Sequence, residues 1–292
     1  MFRKKFLLLS VFLCIATTSL LFPAKAQQNL PELGVVSDYE NGGILKQVGF
    51  QWLVESTSRM LSPIKYSEEE FAKNLEEINK SELPILAFNI LIPGELKVVG
   101  PEVDQRAVLD YLEVVFLRGK RAGVSLFIWG SGGSRRVPEG FDHQVARKQF
   151  SSMAKEVAQL AARHDVVLAL ESLNSSETNF INTLEEALAI VQEVDHPNFR
   201  LCVDIYHMLR EEEGPGVIHD AKGYVVYCEV AEKADRTAPG VVGEDFVPYF
   251  EALHQIGYSG KIMIECRWND LSGQAESAYD YLYEQVRIGF GN

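Results

Sequence analysis

Four acidic residues close apolar runs in the second half of this 292-residue chain. Residues 166–170 run into Glu171, residues 201–203 run into Asp204, the run through Tyr227 and Cys228 reaches Glu229, and residues 261–266 contain Glu265. Short apolar runs of this kind predict buried strands. A carboxylate at the C-terminal end of a parallel strand projects onto the face where ligands bind. Four carboxylates on one face repel one another and hold protons unless a cation sits among them. Any one of them alone reads as a solvated or salt-bridged strand end, but four on successive strands point to one divalent metal ion. The candidate ligands are Glu171, Asp204, Glu265 and Glu229. An oxygen-rich set with few imidazoles suits Mn²⁺ or Mg²⁺, with Co²⁺ or Zn²⁺ as softer alternatives. Glu229 is equally suited to gripping a hydroxyl of a bound ligand or pairing with Arg236. A cation beside a carbonyl stabilises an enediolate, and two carboxylates on opposite faces of the adjacent carbon can move its proton from one side to the other.

Such a cluster needs a scaffold that brings strand ends together. Before Glu171 the sequence predicts strands at residues 33–36, 50–54, 83–89 and 124–129. Between strands, helices are marked by a capping box at Ser67-x-x-Glu70, by Val108, Leu112 and Val115 in residues 104–120, by Met153, Val157 and Leu160 in residues 142–164, and by Thr183-x-x-Glu186. Phe250, Leu253 and Ile256 mark a later helix, and residues 275–288 a last one. Eight strands alternating with helices predict a single α/β domain at residues 33–292, a parallel (β/α)8 TIM barrel. Strand alternation sends Ala169 with Glu171, Cys202 with Asp204, Val225 and Tyr227 with Glu229, and Met263 with Glu265 into the lumen. Cys228 and Cys266 then face outward. Glu232, in the following loop, is expected to make the mouth still more anionic. Residues 92–100 read as a loop with a short hairpin. The run Gly130-Ser-Gly-Gly-Ser-Arg135-Arg136 could cradle a phosphate, but it lacks the ending of a P-loop and reads better as a tight turn at the rim.

Residues 1–26 carry Arg3-Lys4-Lys5, an apolar run to Phe22 and Ala24-Lys-Ala26, the pattern of a cleaved secretory signal. Residues 27–32 form a linker. Cleavage implies an exported, periplasmic protein with no membrane association afterwards. Four cations leave with that segment, which takes the formal charge from -13 to -17. Such a surface disfavours nucleic acid as a partner. The three cysteines beyond residue 26 are an odd number in apolar runs, so they read as buried thiols.

The chain resembles the xylose isomerase-like TIM barrel family of sugar isomerases and epimerases, and within it the D-tagatose/D-psicose 3-epimerase group. The resemblance rests on Glu171-x-Leu-Asn174-x-x-Glu177-Thr-Asn-x-Ile-Asn-Thr183, on Asp204-x-x-His207-Met, on Glu265 in the last strand, and on Arg236 before Pro239-Gly240. It implies that Glu171 and Glu265 are the acid/base pair as well as metal ligands with Asp204, and that Glu177, His207 and Arg236 contact the sugar. The group places a metal-binding His on strand seven, where this chain has Glu229. The expected function is a metal-dependent ketose 3-epimerase acting on a small sugar or keto-sugar, compatible with a homo-oligomer. Where the neighbouring carbon bears a leaving group, the same enediolate expels it, which makes a lyase or dehydratase of 3-keto sugars, 3-keto glycosides or inososes the alternative. A non-catalytic sugar-binding barrel is disfavoured by the presence of both Glu171 and Glu265.

Overall fold

The computed structural model describes residues 30–291, so the expected signal at residues 1–26 lies outside the described residues. Eight parallel strands close in sequence order: β1 (Leu33–Val36), β2 (Trp52–Ser56), β3 (Ile85–Asn89), β4 (Leu126–Trp129), β5 (Val167–Leu170), β6 (Phe199–Asp204), β7 (Val225–Val230) and β8 (Ile262–Ile264), with β8 pairing back onto β1. The predicted (β/α)8 barrel is the observed fold. Its outer layer is α1 (Gly42–Val48), α2 (Glu68–Ile78), α3 (Gln105–Arg121), α4 (His143–Arg163), α5 (Leu184–Val194), α6 (Ile205–Arg210), α7 (Val247–Gln255) and α8 (Leu271–Gly289), with shorter helical turns between. The predicted caps form. Ser67 and Glu70 make a reciprocal capping box, and Thr183 accepts from Glu186 N; each such cap stabilises its helix by about 1 kcal/mol.

Several strands start later than their apolar runs suggest, and one interaction explains it. Phe50 N donates to Leu45 O, Val124 N to Gly119 O, and Val166 N to Ala161 O, at 2.9–3.1 Å. These are the closing bonds of helix C-termini, where an apolar residue folds back on the last turn. The leading apolar residue of each run therefore ends a helix instead of opening a strand. Residues 92–100 form no hairpin; Val98 N donates to Ser134 O and Ile92 N to Ser131 Oγ, which ties that loop to the glycine-rich turn.

Two apolar layers separate cleanly. Val54, Ala87, Ile128, Ala169, Cys202, Tyr227 and Met263 fill the lumen, while Phe71, Phe116, Phe127, Trp129, Phe150 and Phe199 belong to the larger core between strands and helices. Gly34 makes room for the lumen plug, since a Cβ there would lie 2.3 Å from Met263 Cε. Cys228 and Cys266 pack with the outer core, as alternation predicts. Val225 also packs outward, against expectation. The β6–β7 register shifts between Leu201 and Cys202, so alternation counted from Tyr227 fails before that point.

Candidate active site

Glu171 follows β5, Asp204 ends β6, Glu229 lies near the end of β7, and Glu265 follows β8, its N–H extending the ladder to Val230 O at 3.1 Å. One carboxylate oxygen of each lies within 4.8 Å of the others. Glu171, Asp204 and Glu229 are buried, and Glu265 is partly so. Gly130, just past β4, is what admits Glu171, because a Cβ there would lie 1.7 Å from Glu171 Oε2. The glycine-rich turn thus serves the acid cluster. Its Arg135 is fully buried and donates to Trp129 O at 3.1 Å and Glu171 O at 2.7 Å, so this guanidinium is committed to the backbone, while Arg136 is exposed and donates to Glu177 O. Burial pulls its pKa down to about 10.

At this spacing each pair of ionised carboxylates costs about 3 kcal/mol, taking an effective dielectric constant of about 20. Burial, then Glu265, Glu171 and Asp204, push Glu229 well above the ordinary carboxylate range. Glu265 is raised to about 7 by burial; Arg236 pulls it down, and Glu171 and Asp204 push it further up. The donors within reach are few. Tyr227 OH donates to Glu229 Oε1 at 2.7 Å, Asn89 Nδ2 donates to Glu265 Oε1 at 3.2 Å, and Arg236 Nη2 pairs closely with Glu265 Oε2. Asp204 Oδ2 is buried without any hydrogen-bond partner among the described residues. An orphaned carboxylate oxygen among three further acids is the donor set of a hard divalent ion, so these residues fit the metal expected from the sequence.

His207 forms a second grouping with Glu171 and Asp204; its Nε2 lies 3.4 Å from Glu171 Oε1 and 3.5 Å from Asp204 Oδ2. The tautomer decides what it can do. Asn174 N donates to Nδ1 at 3.0 Å, and Asn174 Nδ2 lies 2.9 Å from the same atom. Nδ1 therefore carries the lone pair and Nε2 the proton, which makes His207 a hydrogen-bond donor to oxygen and not a metal ligand. Burial lowers the imidazole pKa, but Asp204 and Glu171 outweigh it and raise it overall. The fixed Asn174 N–H nevertheless opposes a second proton at Nδ1.

Arg236 lies across the mouth. Its Nε donates to Glu265 O at 3.2 Å, Nη1 is 3.6 Å from Glu177 Oε1, Nη2 is 3.8 Å from Asp204 Oδ2, and its guanidinium sits 4.6 Å from the centroid of Tyr206. Glu171, Asp204, Glu229, Glu265, Glu177, His207 and Arg236 thus share one mouth. Glu232 does not. Its carboxylate turns into the loop and accepts from Thr237 Oγ1 and from the N–H groups of Gly240, Val242, Gly243 and Glu244. The expected contribution of Glu232 to the charge of the mouth is therefore corrected: a carboxylate with five local donors organises its own loop.

Three supporting residues went unassigned in the sequence reading. Asn174 holds both His207 Nδ1 and Glu177 Oε1, the latter at 2.9 Å. Asn89 holds Glu265, and Tyr227 holds Glu229. Asn89 ends a predicted strand just as the acids do, so its position was a readable signal.

A family model, the xylose isomerase-like TIM barrel, matches residues 44–285. This chain belongs to the xylose isomerase-like TIM barrel family. Among its relatives is the putative hydroxypyruvate isomerase of Mus musculus, 31% identical over 60% of this chain and 65% of that protein. The D-psicose 3-epimerase of Ruminiclostridium cellulolyticum is 37% identical over 38% of each chain. The 3-dehydro-D-guloside 4-epimerase of Escherichia coli K12 is 33% identical over 41% of this chain and 46% of that one. Each match spans less than two thirds of the relative's length. In structure, this xylose isomerase-like barrel superposes on a D-psicose 3-epimerase crystallised in the presence of D-fructose with a TM-score of 0.74 at 20% identity, over 89% of this chain and 100% of that one.

Proposed function

We propose that this chain is a divalent-metal-dependent sugar epimerase of the ketose 3-epimerase kind, which moves a proton at the carbon next to a carbonyl through an enediolate. The observation that carries this reading is the buried set of Glu171, Asp204, Glu229 and Glu265, with Asp204 Oδ2 left without a donor. Glu171 and Glu265 come from β5 and β8, two strands not adjacent in the barrel, and so reach a shared substrate from different sides. One takes the proton and the other returns one. Glu265 also pairs with Arg236 and Asn89, which fix its carboxylate toward the mouth where a proton can be exchanged. His207 Nε2–H and Arg236 would hold the oxygens of the substrate, and Glu177 would accept from a hydroxyl. Glu171, Asp204 and Glu265, with Glu229, would hold the ion, which supplies Lewis-acid stabilisation of the enediolate charge when bound. The names of the epimerase relatives support the substrate class, a small sugar or keto-sugar.

The test is proton NMR in deuterated water on Mn²⁺-loaded protein with ketoses, 3-keto glycosides and inososes. The reading expects loss of the signal of one carbon-bound hydrogen together with an inverted product, and Glu265→Gln should slow both by about 10²-fold or more. Exchange followed by release of a leaving group would establish the lyase alternative, and no exchange with any of these sugars would overturn both. An oxygen-only ligand set favours Mn²⁺ or Mg²⁺. If Glu229 is a ligand, Glu229→His shifts preference toward Zn²⁺ or Co²⁺; unchanged preference with a raised KM would assign it to substrate. We also propose export to the periplasm, on the pattern of residues 1–26, which N-terminal sequencing of the exported protein would test.

A further inference from the structure

The mouth is divided. Asn89, Ile90, Arg236 and Glu265 border two adjoining cavities. One, of about 310 Å³, lies over the acids and includes Glu171 and Glu177. The other, of about 340 Å³, lies over the ends of β1 and β2, where Ser37, Asp38 and Ser56 line it. Either alone reaches the range of about 300–1,000 Å³ typical of ligand pockets. Of the proposed acid/base pair the first cavity borders both Glu171 and Glu265 and the second Glu265 alone, so a group lodged in the second lies to one side of the pair.

Two of the four residues at the partition, Asn89 and Ile90, are unusual. Asn89 is 8% exposed, and while its Nδ2 holds Glu265, its Oδ1 is buried without a partner among the described residues. Buried acceptors are rarely left so, and this one borders both cavities. Ile90 has φ +50°, a left-handed conformation that is strained for a β-branched residue, and it is nonetheless 49% exposed. Strain and exposed apolar surface together suit contact with a ligand better than they suit folding.

The lining of the second cavity also has a chemistry. Val36, Val54 and Ile90 give apolar surface, and Ser37 and Ser56 give hydroxyls. That mixture matches a pyranose ring, which has C–H faces and a hydroxyl edge. Glu55 adds no free charge, because its carboxylate accepts from Tyr39 N, Ser56 N and Arg59 Nη1 at 3.0, 2.7 and 2.6 Å. Asp38, Glu265, Arg236 and Arg267 also line it, acceptors and donors of both signs that suit the many hydroxyls of a polyol.

We infer, building on the epimerase reading above, that this second cavity is a subsite for the second ring of a keto-glycoside, with Asn89 Oδ1 accepting from a hydroxyl at the junction. Binding energy gained on a remote ring can be used at the reacting carbon, so a two-ring substrate should be favoured over a one-ring substrate with the same reacting ring.

The experiment compares methyl 3-keto-β-D-glucopyranoside with cellobiose oxidised at C3 of its non-reducing ring, on the wild type and on Ser56→Trp, which fills the subsite. Ser56→Leu replaces it should circular dichroism show that Ser56→Trp does not fold. The wild type is expected to favour the two-ring substrate in kcat/KM by about tenfold or more, and the filled variant to lose that advantage while the methyl glycoside changes by less than about twofold. Equal kcat/KM for the two substrates in the wild type, or an equal fall for both in the variant, would overturn the subsite. Turnover of neither would count against the epimerase reading, and calorimetry then decides the subsite alone. Tighter binding of unoxidised cellobiose than of methyl β-D-glucopyranoside, lost in Ser56→Trp and weakened in Asn89→Ala, upholds it; equal Kd values overturn it.

Discussion

Glu229 and Glu232 are three residues apart, both are buried, and their surroundings are opposite. Glu232 accepts from five donors, and the N–H groups of its loop hold its pKa below the ordinary value in spite of burial. Glu229 has the Tyr227 hydroxyl and three further carboxylates, and burial with their repulsion holds its pKa far above. A buried acid that serves folding is given donors by its own loop. The acids at the mouth are left short of donors, and a cluster so underprovided is stable only with protons or a cation in place. The same contrast separates Arg135, committed to two backbone carbonyls, from Arg236, which faces Glu177, Asp204 and Glu265 across the mouth.

The largest effect that could break the comparison is on rate. Glu171→Gln and Glu265→Gln, each keeping shape and removing a base, should slow solvent deuterium exchange by about 10²- to 10⁴-fold. Full exchange in both variants would remove the mouth acids from the chemistry. Next, Tyr227→Phe frees Glu229 Oε1, and loss of such a partner to a ligand should weaken Mn²⁺ binding by about 10- to 100-fold, read by calorimetry. Unchanged affinity would show that Glu229 does not need holding. Glu232→Ala should do the reverse, costing about 1–3 kcal/mol of stability in denaturant titrations while leaving the Mn²⁺ Kd alone. A shift in Kd with no loss of stability would dissolve the distinction between the two acids.

The fold and the acids were legible because both depend on alternation within a strand, and Ala169–Glu171, Cys202–Asp204, Tyr227–Glu229 and Met263–Glu265 each keep it. What alternation cannot convey was not legible. Phe50 and Val124 are apolar for the sake of a helix end, Val225 sits beyond a register shift, and Glu232 turns toward N–H groups up to twelve residues further along the chain. The tautomer of His207 depends on a backbone N–H thirty-three residues away in sequence. Asn89 was readable as a strand end, but its partner Glu265, 176 residues further along the chain, was not.

A smaller effect follows from proton linkage. Glu229 and Glu265 have folded pKa values above the unfolded value of about 4.3, so between that pH and about 7 the folded state binds more protons than the unfolded state. Stability contributed by their protonated forms is lost as pH rises through that window. The melting temperature of metal-free protein should fall by a few degrees between pH 5 and about 7.5, and saturating Mn²⁺ should offset the fall. A melting temperature that rises over the same range without metal would contradict the assignment of raised pKa values to the mouth.

The most direct test is anomalous diffraction at the manganese edge from crystals soaked in Mn²⁺. A single strong peak bounded by the carboxylates of Glu171, Asp204, Glu229 and Glu265, and lost in crystals of Asp204→Asn, is the predicted result. A mouth without a peak at saturating Mn²⁺, or a peak held elsewhere on the molecule, would contradict the account.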